Sequence, residues 1–203
     1  MRKKFVIIFF SVFMAFSVVA QNADKIPESE SISSLSVGLT VLNQYPIGEY
    51  FEFQKAVLGG GIALEYTLPF LVSNLSFGAS FEADYKYFFL DDTSSLKSLN
   101  DLVLSLGGFV NIPLDKKNIF SFQPDISYGA LFRFPDAKKN TNLNPFYFDS
   151  ALILKPQFRC LISKKIVLNV YPLYTLTFEN NSIFHELGFG FSALWKFPLI
   201  KNN

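Results

Sequence analysis

Residues 75–89 read LSFGASFEADYKYFF, and their interpretation turns on alternation. Leu75, Phe77, Ala79, Phe81, Ala83, Tyr85, Tyr87 and Phe89 are apolar or aromatic, while Ser76, Gly78, Ser80, Glu82, Asp84 and Lys86 stand between them. Successive side chains of a strand point to opposite faces, so the stretch is a β-strand with one greasy face and one face of glycine, serine and charge.

The pattern extends in both directions. Before it, residues 34–42 and 57–68 alternate in the same way, the second ending at Pro69. After it, alternation recurs over 101–112, 119–134, 148–162 and 166–178, and from just past Ser182 to Phe197. The links through Ser73, Lys116 and Lys164 are tight. Those through Pro46 (about a dozen residues), Asp92 and Lys139 are longer, and the one at Asn181 is short. An even number of evenly spaced strands with mostly short connections predicts an all-β fold, an eight-stranded antiparallel up-and-down transmembrane β-barrel over residues 33–203. Short turns at one rim and longer loops at the other would put the short rim toward the periplasm. Leu68-Pro69-Phe70, Ile112-Pro113-Leu114 and Phe197-Pro198-Leu199 repeat weakly at the ends of strands descending to that rim.

Composition asks for a solvent other than water. Charged residues are 17% of the chain, against about 25% in an ordinary soluble domain, and 25 of the 203 residues are Phe. Residues 1–20 have the layout of a cleavable secretory signal: Arg2, Lys3 and Lys4, then an apolar run from Phe5 to Val19, then Ala20. Residues 21–32, QNADKIPESESI, are polar and aperiodic and read as a flexible lead-in. Without the signal's three bases, 15 Lys and Arg of the 18 face 17 Asp and Glu, a net charge near −2. That balance gives no reason to expect a nucleic-acid partner. Cys160, the only cysteine, has no internal disulfide partner, so an exported fold must be held by backbone pairing.

Which face meets the solvent follows from three features. No Asp, Glu, Lys or Arg falls on the apolar parity of any strand. The other parity carries Glu65, Glu82, Asp84, Asp101, Asp125, Asp149 and Glu186 with Lys86, Arg133, Lys155, Arg159 and Lys196. Eight of the 11 glycines lie on that polar parity, where exposed strands of a soluble barrel would favour Thr, Lys or Glu. Finally, an eight-stranded barrel encloses barely enough room for its own side chains, so the large apolar face cannot point inward. The reading is that outer-membrane lipid covers the apolar wall. Its aromatics form two girdles around an aliphatic middle, with Tyr87, Phe89, Phe132, Phe134, Phe148 and Phe178 toward the long-loop rim and Tyr66, Phe77, Phe120, Trp195 and Phe197 toward the short-turn rim.

The interior charges are the one constellation that could carry chemistry. Lone charges in so narrow a tube are costly. Glu65, Glu82, Asp125, Lys155, Arg159 and Lys196 are therefore expected to pair across the lumen, and the wider network of Glu65, Glu82, Asp84, Lys86, Asp125, Lys155, Arg159, Glu186 and Lys196 to plug it. A narrow polar or gated path is the alternative. The sequence offers no metal spacing, phosphate loop or cofactor motif, and the chain is read as a non-enzyme. The remote exception would be a lipid-surface acyltransferase or lipase using His185 with Asp149 and Ser150, but His185 is read as a solvated loop residue and Cys160 as a small lipid-facing one. Pro124, Pro156 and Pro172 fall on three consecutive strands, where bulges or an imperfectly closed wall are expected.

With signal and strands in place, the chain resembles the small eight-stranded outer-membrane proteins of the OmpX, OmpA-barrel and OmpW type, and more loosely the outer membrane protein beta-barrel families. The last strand, GFGFSALWKF from Gly188, looks like the terminal insertion signal of that group, though PLIKNN follows its closing Phe197. The resemblance implies a monomer inserted in the outer membrane of a diderm bacterium by the barrel-assembly machinery. Its role there would be structural or surface-interacting, or else that of a conduit for small, including hydrophobic, molecules. Phe51, Phe53, Phe146 and Tyr147 are candidates for sticky outer loops.

Overall fold

Strand pairing runs beyond most of the alternating segments, and this sets the size of the barrel. The computed structural model describes residues 33–47, 54–72, 74–92, 94–137, 146–179 and 182–200. The expected signal and lead-in, and Phe51 and Phe53, lie outside the described residues. The strands are β1 (Ser33–Ile47), β2 (Gln54–Val72), β3 (Leu75–Leu90), β4 (Leu96–Pro113), β5 (Phe120–Ala137), β6 (Tyr147–Ser163), β7 (Ile166–Glu179) and β8 (Ser182–Ile200). Each pairs antiparallel with its neighbour in sequence, and β8 returns to β1, so the chain forms a closed up-and-down barrel of eight strands. Closure leaves no unpaired edge, which is why no disulfide is needed to hold the sheet.

Because β1 and β2 continue to Ile47 and from Gln54, the expected dozen-residue link shrinks to residues 48–53. The other links at that rim are 91–95, 138–146 and 180–181. At the opposite rim they are 73–74, 114–119 and 164–165. The contrast in loop length between the rims is therefore weaker than the alternation suggested: ladder pairing persists past the residues whose faces are cleanly divided. The tight rim is built from local chemistry. Asn74 and Asn118 take positive φ (68° and 54°), a region Asn tolerates better than most residues. The Asp115 carboxylate accepts the backbone N–H of Lys117 at 3.0 Å and of Phe120 at 2.6 Å, closing the 114–119 turn.

Every second residue faces in. The inward set is not only small and polar as the sequence suggested, since Leu42, Val103, Leu131, Ala151, Ile153, Tyr171 and Leu173 are buried together inside the tube. Two inward aromatics fit because glycine faces them on the next strand. Phe109 lies over Gly78 and Tyr171 over Gly190, each pair directly opposite in register, and a side chain on either glycine would meet the ring. Glycine on the inner parity makes room for rings as well as narrowing the wall.

The three prolines produce no bulge. Register shifts occur near Ser33, Gln54, Thr67, Leu96 and Leu161, away from Pro124, Pro156 and Pro172. Pro124 instead lies directly opposite Pro156 in an unbroken β5–β6 ladder. Between β6 and β7 the register is constant from Ser150↔Phe178 to Leu161↔Val167, but pairing is missing from Lys155 to Gln157, between Leu154↔Tyr174 and Phe158↔Val170, which sets Pro156 opposite Pro172. In an antiparallel ladder a residue's N–H and C=O both address the same neighbour. Pro156 and Pro172 thus face each other without donors, and the expected imperfection is an interrupted seam in register.

Candidate functional site

The outer wall is predominantly apolar. Leu39, Leu106, Ile126, Tyr128, Phe148, Phe189 and Trp195 are among its exposed side chains, Leu106 to 67%. All of Tyr66, Phe77, Tyr87, Phe89, Phe120, Phe132, Phe134, Phe178, Trp195 and Phe197 occupy outward positions. Tyr66, Tyr87, Phe89, Phe134, Phe178, Trp195 and Phe197 are exposed, and the other three are half-buried by neighbours. Phe132 packs with Phe146 and Phe148 at ring distances of 5.9 and 5.4 Å near the 138–146 link. The middle of the wall is not purely aliphatic, because Tyr128, Phe189 and Phe191 are outward at mid-strand. Lys165 reaches over the Trp195 ring at 6.0 Å, at the short-turn rim.

Inside, the charges are arranged in layers, and register decides who meets whom. Near the short-turn end the Arg159 guanidinium on β6 lies 2.8 Å from Glu65 on β2, four strands around the ring, so this pair spans the lumen's diameter. Gln123 joins both partners, donating to Glu65 at 3.1 Å and accepting from Arg159. Asn169 donates to Ser192 in the same layer at 2.9 Å. One layer up, the Lys155 ammonium is 2.6 Å from Glu82 across the lumen and 3.8 Å from Asp125, its direct neighbour on β5. Thr40 donates to Asp84 from two strands away. Higher still, Lys86 meets Glu186 at 3.0 Å and Gln44 donates to Thr175 at 2.8 Å. At the long-loop end, Arg133 grips Asp101 with two nitrogens at 3.0 Å and reaches Glu179 at 3.2 Å.

The structure thus joins Glu65 with Arg159, Glu82 and Asp125 with Lys155, and Lys86 with Glu186. Asp84 sits on a hydroxyl and Lys196 faces inward near Arg159. Sequence reasoning did not single out the pairing of Arg133 with Asp101 and Glu179, nor the neutral partners Gln123, Thr40 and Gln44. Arg133 and Asp101 were visible as inward charges, and their direct opposition follows once the β4–β5 register is known. Glu179, at the last position of β7, lies beyond the alternating segment.

Two features bound these layers. The apolar cluster of Leu42, Val103, Leu131, Ala151, Ile153, Tyr171 and Leu173 fills the tube among the upper ion pairs. Toward the short-turn rim the interior instead widens into a cavity of about 1040 Å³, walled by Ser34, Ser36, Ser121, Arg159 and Lys196 and opening between the turns at Asn74 and Lys116.

His185 is not in a loop. It is a β8 residue on the outer parity, half-buried, with its Nδ1 2.7 Å from the Tyr174 hydroxyl on β7. Asp149 is buried on the inner face of β6, while Ser150 takes the outer face and pairs with Phe178. The wall therefore separates the members of the triad considered from the sequence. Cys160 is fully buried on the outer side of β6, not lipid-facing, between Phe120 and Leu168 on the neighbouring strands.

No protein-family model and no curated protein matches the chain. Solved structures match its fold. The attachment invasion locus protein Ail of Yersinia pestis is 12% identical, with 83% of this chain and 99% of that one aligned and a TM-score of 0.54. Ail in complex with the heparin analogue sucrose octasulfate gives 13% identity, the same coverage and a TM-score of 0.53. Neisserial surface protein A is 9% identical over 83% of this chain and 98% of its own, at a TM-score of 0.50. The chain has the fold of small eight-stranded bacterial outer-membrane barrels, and at these identities the likeness is one of fold.

Proposed function

We propose that this chain is a monomeric integral outer-membrane barrel with a structural or surface-interaction role, its lumen plugged by paired charges. The observation that carries the reading is the division of the wall: across eight strands the buried charges face inward and the exposed Leu, Ile, Phe, Tyr and Trp face outward. Water would not tolerate that much contiguous apolar surface on a monomer, whereas hydrocarbon requires it. The signal at residues 1–20 and insertion by the barrel-assembly machinery belong to the same proposal. The plug follows from the ion pairs at Arg159, Lys155, Lys86 and Arg133 and the apolar cluster among them, which occupy the tube above the cavity at the short-turn end.

Outer-membrane fractionation, together with heat-modifiable mobility on gels, tests the location. A chain that remained soluble and monomeric without detergent would defeat it. Planar-bilayer recording of the refolded protein tests the plug, and the expected result is no conductance step. A second reading, a conduit for small molecules, is favoured by one observation, the missing ladder between Leu154↔Tyr174 and Phe158↔Val170. Steady conductance or uptake dependent on the barrel would support that reading over a sealed one.

A further inference from the structure

We propose that the short-turn rim beside Trp195 is a binding site for an anionic diacyl phospholipid, with the phosphate on Lys164 and Lys165 and the acyl chains on the wall above them. The inference rests on the membrane-barrel reading and adds the class of lipid. Charge separates the two rims. At the long-loop rim Lys55 lies 3.1 Å from Asp91 and Lys97 lies 3.5 Å from Asp136, so each of these cations already has an anion. Among the described residues, the turns of the short rim carry Lys116, Lys117, Lys164 and Lys165 against one acid, Asp115, and all four lysines are exposed. The Asp115 carboxylate is engaged by two backbone N–H groups of its own turn. Lys164 and Lys165 form no ion pair with any described residue. Lysines placed at a membrane surface draw anionic headgroups to themselves.

Geometry puts the charge on the lipid side of the wall. The Lys165 ammonium is 6.0 Å from the centroid of the Trp195 ring, which faces outward and is 45% exposed. The backbone fixes this neighbourhood, because the Lys196 N–H donates to the Lys165 carbonyl at 2.6 Å and Trp195 stands directly opposite Ile166. Indole rings favour the depth at which hydrocarbon gives way to headgroups, so a cation over the ring lies at the level of the phosphates. Above the ring, Ala193 is exposed between Phe191 and Trp195 on β8, with Leu39 and Leu168 opposite it on the flanking strands. That small residue leaves a furrow between two aromatic side chains in which an acyl chain can lie. Lys116 and Lys117 occupy the next hairpin, two strand spacings or about 10 Å around the rim, and Lys116 also lines the mouth of the cavity. They reinforce the local positive field, while Lys164 and Lys165 supply the contact.

Trp195 is the chain's only tryptophan, so its fluorescence reports on this site alone. The full chain is refolded into phosphatidylcholine vesicles that contain an equal fraction of either brominated phosphatidylglycerol or brominated phosphatidylcholine, and quenching is compared. Phosphatidylglycerol should associate about fivefold more strongly beside Trp195 than phosphatidylcholine does. Replacing both lysines, Lys164→Gln with Lys165→Gln, should bring that ratio close to one in a barrel checked for folding by heat-modifiable mobility. Lys55→Gln, at the other rim, should leave the ratio unchanged, which separates a local site from net charge. Raising the salt to about 1 M should lower the ratio in the unsubstituted protein, and this keeps the test decisive if the double variant does not fold. Equal quenching by the two lipids overturns the inference and leaves the membrane barrel standing. So does a ratio that neither the double variant nor salt lowers, or one that Lys55→Gln lowers as much. Absence of quenching by either lipid overturns the lipid-facing wall itself, and the inference with it.

Discussion

Phe81 and Glu82 adjoin in sequence and share almost nothing in environment. Phe81 stands on the outer wall opposite Leu106, while Glu82 is buried inside opposite Ser105 and reaches across the lumen to Lys155 at 2.6 Å. The outer face is uniform, and its residues are interchangeable so long as they are apolar. The inner face is specific, because each charge there depends on a partner from another strand. Parity sets the first kind of environment and register the second. The two faces should therefore fail differently when altered.

The largest effect belongs inside. Lys155→Met leaves Glu82 and Asp125 buried without their cation, and it should lower stability by about 3–5 kcal/mol in urea unfolding of the folded barrel. Neutralising all three, with Glu82→Gln and Asp125→Asn added, should recover most of the loss; if it does not, the inner face is held by shape more than by pairing. Next comes the outer wall, where Phe81→Arg or Leu106→Arg at mid-height should cost roughly 2–4 kcal/mol and impair membrane assembly. Ser80→Lys points inward toward Asp125 and should be milder, and equal tolerance of the three by membrane fractionation would erase the distinction between faces. Gly190→Val presses against the Tyr171 ring and should cost about 1–3 kcal/mol, an effect that Tyr171→Ala in the same chain should relieve in part. The smallest change is expected at the seam. Pro172→Val restores a donor facing Pro156 and should add about 1 kcal/mol, with slower amide exchange at the restored donor and its neighbours on β6 and β7.

The barrel was legible because Leu75 to Phe89, and each alternating segment like it, encodes parity in a strict two-residue period. Strand number and up-and-down order followed from counting such segments. Register leaves no comparable local mark. That Arg159 would meet Glu65 rather than Glu82 depends on how β2 and β6 are staggered across the tube, which no stretch of either strand states. Loop lengths were overestimated for the related reason that backbone pairing does not need alternating side chains, so β1 continues through Gln44, Tyr45 and Pro46. Phe109 and Tyr171, large residues on the inner parity, are explained only by glycines more than 15 residues away that face them in space. His185 was misplaced because it stands near the outer end of the last strand, just past the turn at Asn180, Asn181 and Ser182, whereas Tyr174 gives its ring a partner on the strand wall.

Pro124, Pro156 and Pro172 lie in one row around the wall, but only the Pro156–Pro172 step interrupts pairing. The joint between the chain's two ends, by contrast, is laddered from Ser33↔Ile200 to Ile47↔His185. The joint of the first and last strands is thus well laddered, and the ring's loosest joint lies between two strands tied by a two-residue hairpin at Lys164 and Lys165. Pulled apart by its rims, such a barrel would tear between β6 and β7 first. A chain recut to begin at that hairpin, with its present ends joined, would put its new termini at the place least able to zip closed.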